Sequence, residues 1–250
     1  MDRSLKSQLA HVLHPIAAPL DDSAVRRVLD RAVVRDGARL LDLGCGQAEW
    51  LIRALEANPG ATAVGVDIAA NALEEARAQA VARGVGDRLE LHAGDAANAT
   101  LGGAFDVVLS VGATHAFGGV LGTLAAARQH LAPGGAVVIG DAYWLSEPTA
   151  EAVEMLGEYE DLATTVENIA ADGWVPVYGH LSTRHELDDY EWHWTGSLAE
   201  WAVNHPEHPD AAEALEASAV HRTEWLRVYR DSFGFHTLVL RSTKESEGSR

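Results

Sequence analysis

Short apolar runs alternate along the first half of the chain with segments whose apolar positions recur every three or four residues. The first kind predicts buried strands and the second predicts helices packed on one face. After Pro19, LDDSAVRRVLDRAVV reads as an amphipathic helix with Asp21 or Asp22 as its N-cap. ARLLDLG, residues 38–44, follows as a strand, and AEWLIRALEA as a helix ended by Asn58 and Pro59. ATAVGVDI is the next strand, and NALEEARAQAVARG a helix opened by Asn71 and closed by Gly84. RLELHAGDA and FDVVLSVG are the third and fourth strands. VLGTLAAARQHLAPGG is a helix running into a Pro-Gly-Gly turn, before the fifth strand AVVIGDAYW.

Strict alternation of strand and helix, with strands apolar on both faces, predicts βαβ units and a parallel sheet covered on each side. After Glu147 the rhythm changes. EPTAEAVEMLGEYEDLATTVENIAADG reads as helical, WVPVYGHLS as a sixth strand and FGFHTLVLRS as a final one. Between these last two lie an aromatic-rich segment and the helix AAEALEASAVHRTEWLRVYRD. The expected fold is therefore α/β: a Rossmann-like, doubly wound, mostly parallel seven-stranded sheet with a helical insertion at 187–231. A single domain is expected over 1–241, with an N-terminal helical lid at 1–36, a core at 37–146 and a disordered tail at 242–250.

Charge narrows the partners. The 37 acidic residues outnumber the 19 basic ones, for a net charge of −18. Nucleic-acid binders draw affinity from Lys and Arg against phosphates, and anionic membranes attract the same residues. Neither partner is expected here. The single cysteine, Cys45, excludes an intrachain disulfide. No apolar run approaches a membrane span, and the N-terminus lacks a signal-peptide core, so a cytoplasmic location is expected. Nothing in the sequence speaks to oligomeric state.

The turn in LLDLGCGQAEWL carries the chemistry. A glycine-rich turn between strand and helix aims backbone N–H groups and a helix dipole at a ligand. A nicotinamide-binding turn takes the form G-x-G-x-x-G. Here Gly44 and Gly46 are followed by Glu49 where the third glycine would fall, and Asp42 precedes the first. Acids in these positions oppose a pyrophosphate and suit a cationic ligand. S-adenosylmethionine (SAM) carries an ammonium and a sulfonium and no phosphate.

LDLGCGQAEW resembles motif I, D-x-G-x-G-x-G, of the class I SAM-dependent methyltransferases, with Ala48 in place of the last glycine. VGVDIA, AGDAAN, FDVVLSVGATHAFGG and LAPGGAVVIGDAYW follow in the family's order, so the resemblance covers residues 25–144. It implies SAM as cofactor, held by Asp42, Gly44, Cys45, Gly46, Asp67, Ile68, Asp95, Ala96 and Ser110. Within that set, Asp67 would hold both ribose hydroxyls, and Asp95 and Ala96 would lie beside the adenine edge. The finer layout, with GATHAFGG, DAYW and the tryptophan-rich insertion, resembles bacterial methyltransferases of unassigned small-molecule substrate.

Methyl transfer from a sulfonium is an in-line displacement that gains chiefly from alignment, and a base helps when the acceptor carries a proton. The candidates are His115, just past the fourth strand, and Asp141 and Tyr143, at the end of the fifth. The N/D-P-P-Y/F motif of methyltransferases acting on nitrogens of nucleic acids or proteins is absent. A small-molecule acceptor methylated at nitrogen or oxygen is expected. The alternatives are a SAM-binding regulatory protein without transfer activity and an NAD(P)-dependent oxidoreductase.

Tyr190, Trp192 and Trp194 would share one face if their segment were extended, either as an acceptor cage or as an aromatic clamp. The acids from Asp141 to Asp172, with no Lys or Arg between Arg128 and Arg184, read as a solvated face. His180, His185 and Glu186, or His205 and His208, match no recognised zinc or calcium spacing, so no metal is expected. Calorimetric titration is expected to detect S-adenosylhomocysteine (SAH) binding and no binding of NAD or NADP. The reverse result would remove the resemblance as a guide.

Overall fold

Apolar strands of this kind need a helix on each crossover, and the chain supplies one after nearly every strand of its first half. A computed structural model describes residue 1 and residues 3–243. In order, the elements are α1 (Arg3–His11), α2 (Asp22–Ala32), β1 (Arg39–Leu43), α3 (Glu49–Ala57), β2 (Thr62–Asp67), α4 (Ala70–Ala82), β3 (Leu89–Ala93) and β4 (Phe105–Val111). Then come α5 (Val120–His130), β5 (Leu131–Trp144), α6 (Ala150–Leu156), α7 (Leu162–Ala171) and β6 (Trp174–Leu181). α8 (Arg184–Asn204), α9 (Ala211–Glu224) and β7 (Phe233–Ser242) complete the chain.

The strands form one sheet in the order β3-β2-β1-β4-β5-β7-β6. β1 pairs in parallel with β2 and β4, β2 with β3, and β4 with β5, whereas β6 and β7 are antiparallel. This is the seven-stranded, mostly parallel, Rossmann-like sheet that the pattern predicts. The strand order reverses between β1 and β4, and in open α/β sheets ligands bind outside the carboxyl ends of the strands at such a reversal.

The chain divides into two compact units. The sheet unit gathers Asp21–Asp141, Ala163–Leu181 and the strand from His236 onward. Its core is built from Leu41, Leu43, Phe105, Val108, Ile139 and Trp174, all buried. α2 begins with the Asp21 carboxylate accepting the Ala24 N–H at 2.6 Å, the N-cap that the sequence offered.

The helical unit gathers Met1–Leu20, Ala142–Leu162 and Ser182–Phe235. There α1 packs on α8 and α9 through Ala10, Leu198, Ala202 and Ala214. The expected lid at 1–36 is thus split after Leu20, with α2 belonging to the sheet unit.

Several boundaries differ from the sequence pattern for identifiable reasons. Asn71 lies inside α4, whose capping position is Ala69. β5 begins directly after α5, so LAPGG falls within the strand's bounds, and the expected bend persists there at Gly134, whose φ is 72°. Pro133 cannot continue the helix, and a register shift between Phe105↔Leu131 and Val107↔Ala136 absorbs the extra residues. The long helical stretch after Glu147 is cut at Gly157, whose φ of 102° ends α6.

The aromatic segment is helical, not extended. Thr183 and Glu186 form a capping box that starts α8 upstream of it. At 3.6 residues per turn, side chains two apart point to opposite sides. Tyr190 accordingly meets His14, Trp192 packs edge-on against Trp225 with centroids 5.2 Å apart, and Trp194 stacks on His221 at 3.9 Å. These three rings make no common cage.

Glu191 ties the helical unit together. It accepts the Tyr229 hydroxyl at 2.9 Å and meets His221 Nε2 at 2.8 Å, beside a π-helical turn at Trp225–Tyr229. Ser242 closes β7, and the Thr243 N–H donates to the Gly173 carbonyl. The remainder of the expected disordered tail, 244–250, lies outside the described residues.

Gly65 in β2 faces Cys45 of the glycine turn; a Cβ there would sit 2.7 Å from the Cys45 Sγ and 2.8 Å from Leu91. Gly65→Ala is expected to cost about 1–3 kcal/mol by overpacking. A lowered urea midpoint would show this, and an unchanged midpoint would contradict it.

Candidate active site

Because β1, β2, β3, β4 and β5 run in parallel, their carboxyl ends line one edge of the sheet, and the sequence-predicted residues of the sheet unit collect there. β1 ends at Leu43 and the chain turns at Gly44, whose φ is 90°. A Cβ on Gly44 would lie 2.4 Å from that of Ala113, so the turn demands glycine for space as well as for conformation. Gly46 is also left-handed, at φ 52°, and a Cβ there would meet nothing within 4 Å. The space over this peptide is open. Ala48, in place of the family's last glycine, keeps a glycine-like φ of 55°.

The turn is stitched to β2. Gly44 and Cys45 donate their N–H groups to the Val66 carbonyl at 2.9 and 3.0 Å. The Asp67 carboxylate accepts the Gly46 N–H through Oδ2 at 2.7 Å and the Ala69 N–H through Oδ1 at 2.8 Å. A carboxylate oxygen accepts more than one hydrogen bond, so both retain capacity for hydroxyl donors. Cys45 is buried against Gly65, and burial raises its thiol pKa far above the ordinary value, so it is held protonated. Ile68, by contrast, is 80 % exposed, an apolar side chain left bare at the mouth of the turn.

Asp42 is the electrostatic centre. It is 3 % exposed, and no hydrogen bond reaches its carboxylate from the described residues. Burial, with the nearby Asp67 charge second, pushes its pKa up to about 8. A buried acid without a donor fits a cationic ligand, and the open peptide at Gly46 fits a ligand lying close to backbone. Both features suit the ammonium-bearing SAM.

Glu49 has a different part from the one its position suggested. It does not oppose a phosphate at the turn. It is buried and paired with Arg53 and Arg83, each at 2.6 Å, and Arg83 also pairs with Glu56.

Beyond β3, Asp95 caps a short 3-10 turn: Oδ1 accepts the Ala97 N–H at 2.9 Å and Oδ2 the Asn98 side-chain amide at 2.6 Å. Ala96 packs partly into the core. Ser110, buried in β4, donates its hydroxyl to the Leu43 carbonyl at 2.9 Å, which commits its donor to the sheet. His115 is exposed on the 3-10 turn Thr114–Phe117, and its ring makes no hydrogen bond among the described residues.

Thr114, which sequence reasoning passed over, is buried and donates its hydroxyl to Asp141 Oδ2 at 2.7 Å. The only hint of this in the sequence was its place beside His115. Tyr143 falls in the helical unit, buried, with its ring against Gly234, where a Cβ would lie 2.5 Å from the ring. Burial raises its hydroxyl pKa. The turn, Asp67, Asp95, His115 and Asp141 stand at or near the carboxyl ends of their strands, and Tyr143 follows two residues after Asp141 at the end of β5, within the helical unit.

The raised Asp42 pKa has a defined sign. The folded state resists ionisation, so stability is greatest below the unfolded value of 3.8 and falls as pH rises to about 8. Asp42→Asn cannot ionise and is expected to be the more stable protein above pH 8, by on the order of a few kcal/mol. Denaturant unfolding at pH 5 and pH 9 checks this; equal losses in both proteins would refute it.

A family model described as a methyltransferase domain matches residues 41–137, which contain the turn, Asp67, Asp95 and His115. The uncharacterized protein YjhP of Escherichia coli (strain K12) is 27 % identical over 226 residues, covering 83 % of this chain and 86 % of that protein. A SAM-dependent methyltransferase from Thiobacillus denitrificans, crystallised with S-adenosyl-L-homocysteine, superposes with a TM-score of 0.86 at 26 % identity. That match covers 97 % of this chain and 99 % of the other. Nocamycin O-methyltransferase of Saccharothrix syringae is 42 % identical over 85 residues, 33 % of this chain and 30 % of that protein's length. With the glycine turn, the acid-lined strand ends and the open sheet edge, these likenesses make the chain a class I, Rossmann-like methyltransferase that uses SAM.

Proposed function

We propose that this methyltransferase transfers its methyl group to the oxygen or nitrogen of a small organic molecule, with His115 as the base. The observation that carries this reading is an exposed imidazole beside the Thr114–Asp141 hydrogen bond, past the carboxyl end of β4. SAM supplies an electrophilic methyl group on its sulfonium.

Asp42 offsets the cofactor's ammonium charge, the peptides from Gly44 to Gly46 lie against it, and Asp67 receives the ribose hydroxyls. Ile68 covers an adenine face, and Asp95 and Ala96 meet its edge. Ser110 keeps β4 beside β1 and positions the turn. His115 takes the proton from the acceptor's hydroxyl or amine, and Asp141, anchored by Thr114, orients the acceptor. Tyr143 contributes as a buried wall in the helical unit.

The excess of 37 acidic over 19 basic residues supports a small molecule over a nucleic acid. The likeness to nocamycin O-methyltransferase supports oxygen as one acceptor atom. Among the described residues, no helix is long and apolar enough to cross a membrane. A cytoplasmic location belongs to the same proposal.

Hydroxyl- and amine-bearing small molecules screened with methyl-labelled SAM are expected to yield a labelled acceptor. His115→Ala should then lower kcat by about 10²–10⁴-fold while SAH affinity is unchanged. Asp141→Asn is expected to act mainly through acceptor KM. Unchanged turnover in both His115→Ala and Tyr143→Phe would remove the catalytic assignments. SAH binding without turnover of any acceptor would favour a regulatory protein.

A further inference from the structure

The helical unit contains a second cluster with its own chemistry, independent of the proposed reaction. His14, in the segment after α1, meets Asp189 and His193 of α8, and one ligand-capable atom from each lies within 4.8 Å of the other two. His14 and His193 are half-buried, and the Asp189 side chain is 49 % exposed. We propose that His14, Asp189 and His193 bind one transition-metal dication of the zinc class, fastening the segment after α1 to α8.

The helix supplies two ligands by its own geometry. Asp189 and His193 are four residues apart and share one face of α8, the spacing that lets two helical side chains converge on one ion. The third ligand arrives from far along the chain.

Both imidazoles are oriented by a backbone carbonyl. His14 Nε2 is 2.8 Å from the Ala18 carbonyl, and His193 Nδ1 is 2.8 Å from the Asp189 carbonyl. A ring nitrogen facing a carbonyl donates its proton there, so on metal binding each ring would ligate through its other nitrogen, and the Asp189 carboxylate, 3.3 Å from His193 Nδ1, would turn toward the ion. Such a carbonyl contact is the outer hydrogen bond that metal-binding histidines use to fix tautomer and ring orientation.

The ring spacing also fits. Two imidazoles on one tetrahedral ion, each with a metal–nitrogen distance of about 2.0–2.1 Å, place their centroids about 5 Å apart. Here the His14 and His193 centroids are 5.6 Å apart and inclined by 29°. Ligand atoms on such an ion are about 3.3 Å apart, so modest side-chain rotations would draw the observed set together. Tyr190 walls the site, edge-on to His14, and its hydroxyl lies 3.1 Å from His11 Nε2.

Two imidazoles with one carboxylate favour zinc and its neighbours over calcium or magnesium, which take all-oxygen shells. Solvent fills the fourth position.

The test uses tag-free, full-length protein stripped with a chelator and titrated calorimetrically with Zn²⁺ and with Ca²⁺. One equivalent of Zn²⁺ and no Ca²⁺ is expected to bind. His14→Ala and His193→Ala should each weaken binding about tenfold or more, since loss of even an outer partner costs roughly 10–100-fold. His205→Ala is the control, because that ring lies against the Trp201 carbonyl outside the cluster.

Unchanged circular dichroism and SAH binding in the variants would separate ligand loss from misfolding. Co²⁺ added to wild type is expected to give the absorption bands of a four-coordinate site, independent of any variant. Failure of wild type to bind Zn²⁺ stoichiometrically, or binding that survives both histidine substitutions, would overturn the site. Asp189 and His193 would then be a surface ion pair only.

Discussion

The Asp67 carboxylate holds the sheet edge in its working shape. By accepting the Gly46 and Ala69 N–H groups, it joins the turn after β1 to the start of α4, across the ends of two parallel strands. The Val66 carbonyl adds two further bonds from Gly44 and Cys45. Four backbone donors that would otherwise face solvent at a strand end are thereby used, and the turn becomes rigid before any ligand arrives. Its fit leaves little slack: Gly44 lies against Ala113, and Gly65 leaves just enough room for Cys45.

That rigidity has an electrostatic consequence. Asp67 is supported by backbone donors, whereas Asp42 lies buried nearby with none from the described residues. Two acids so placed disfavour each other's ionisation, and the donorless one yields by raising its pKa. A cationic ligand relieves the conflict, whereas a pyrophosphate would deepen it. Glu49 has no share in this selection, because Arg53 and Arg83 draw its carboxylate away.

The helical unit rests on polar ties between segments distant in sequence. Glu191 brings together His221 and Tyr229, while Arg230 pairs with Asp188 at 2.6 Å. α1 docks through Ala10, in one buried cluster with Leu198, Ala202, Ala211 and Ala214. Aromatic rings fill the spaces left by these ties, in pairs rather than as one cage. The His14–Asp189–His193 cluster belongs to the same pattern of joining the N-terminal segment to α8.

Local order along the chain was enough to determine the parallel sheet, because apolar strands and amphipathic helices are set by periods of two and 3.6 residues. The glycine turn, Asp67 and Asp95 were legible for a related reason: each stands at the end of a strand, where chain order alone places it on the sheet edge. The helical character of the aromatic segment was also present in the Thr183–Glu186 capping box, in keeping with the helical insertion expected at 187–231. Tertiary structure alone decided the rest. The Thr114–Asp141 bond, the withdrawal of Glu49 to Arg83, the commitment of Ser110 to the Leu43 carbonyl and the meeting of His14 with α8 all join residues far apart in the chain. No periodicity encodes such partners, since they are selected by packing once the elements have formed.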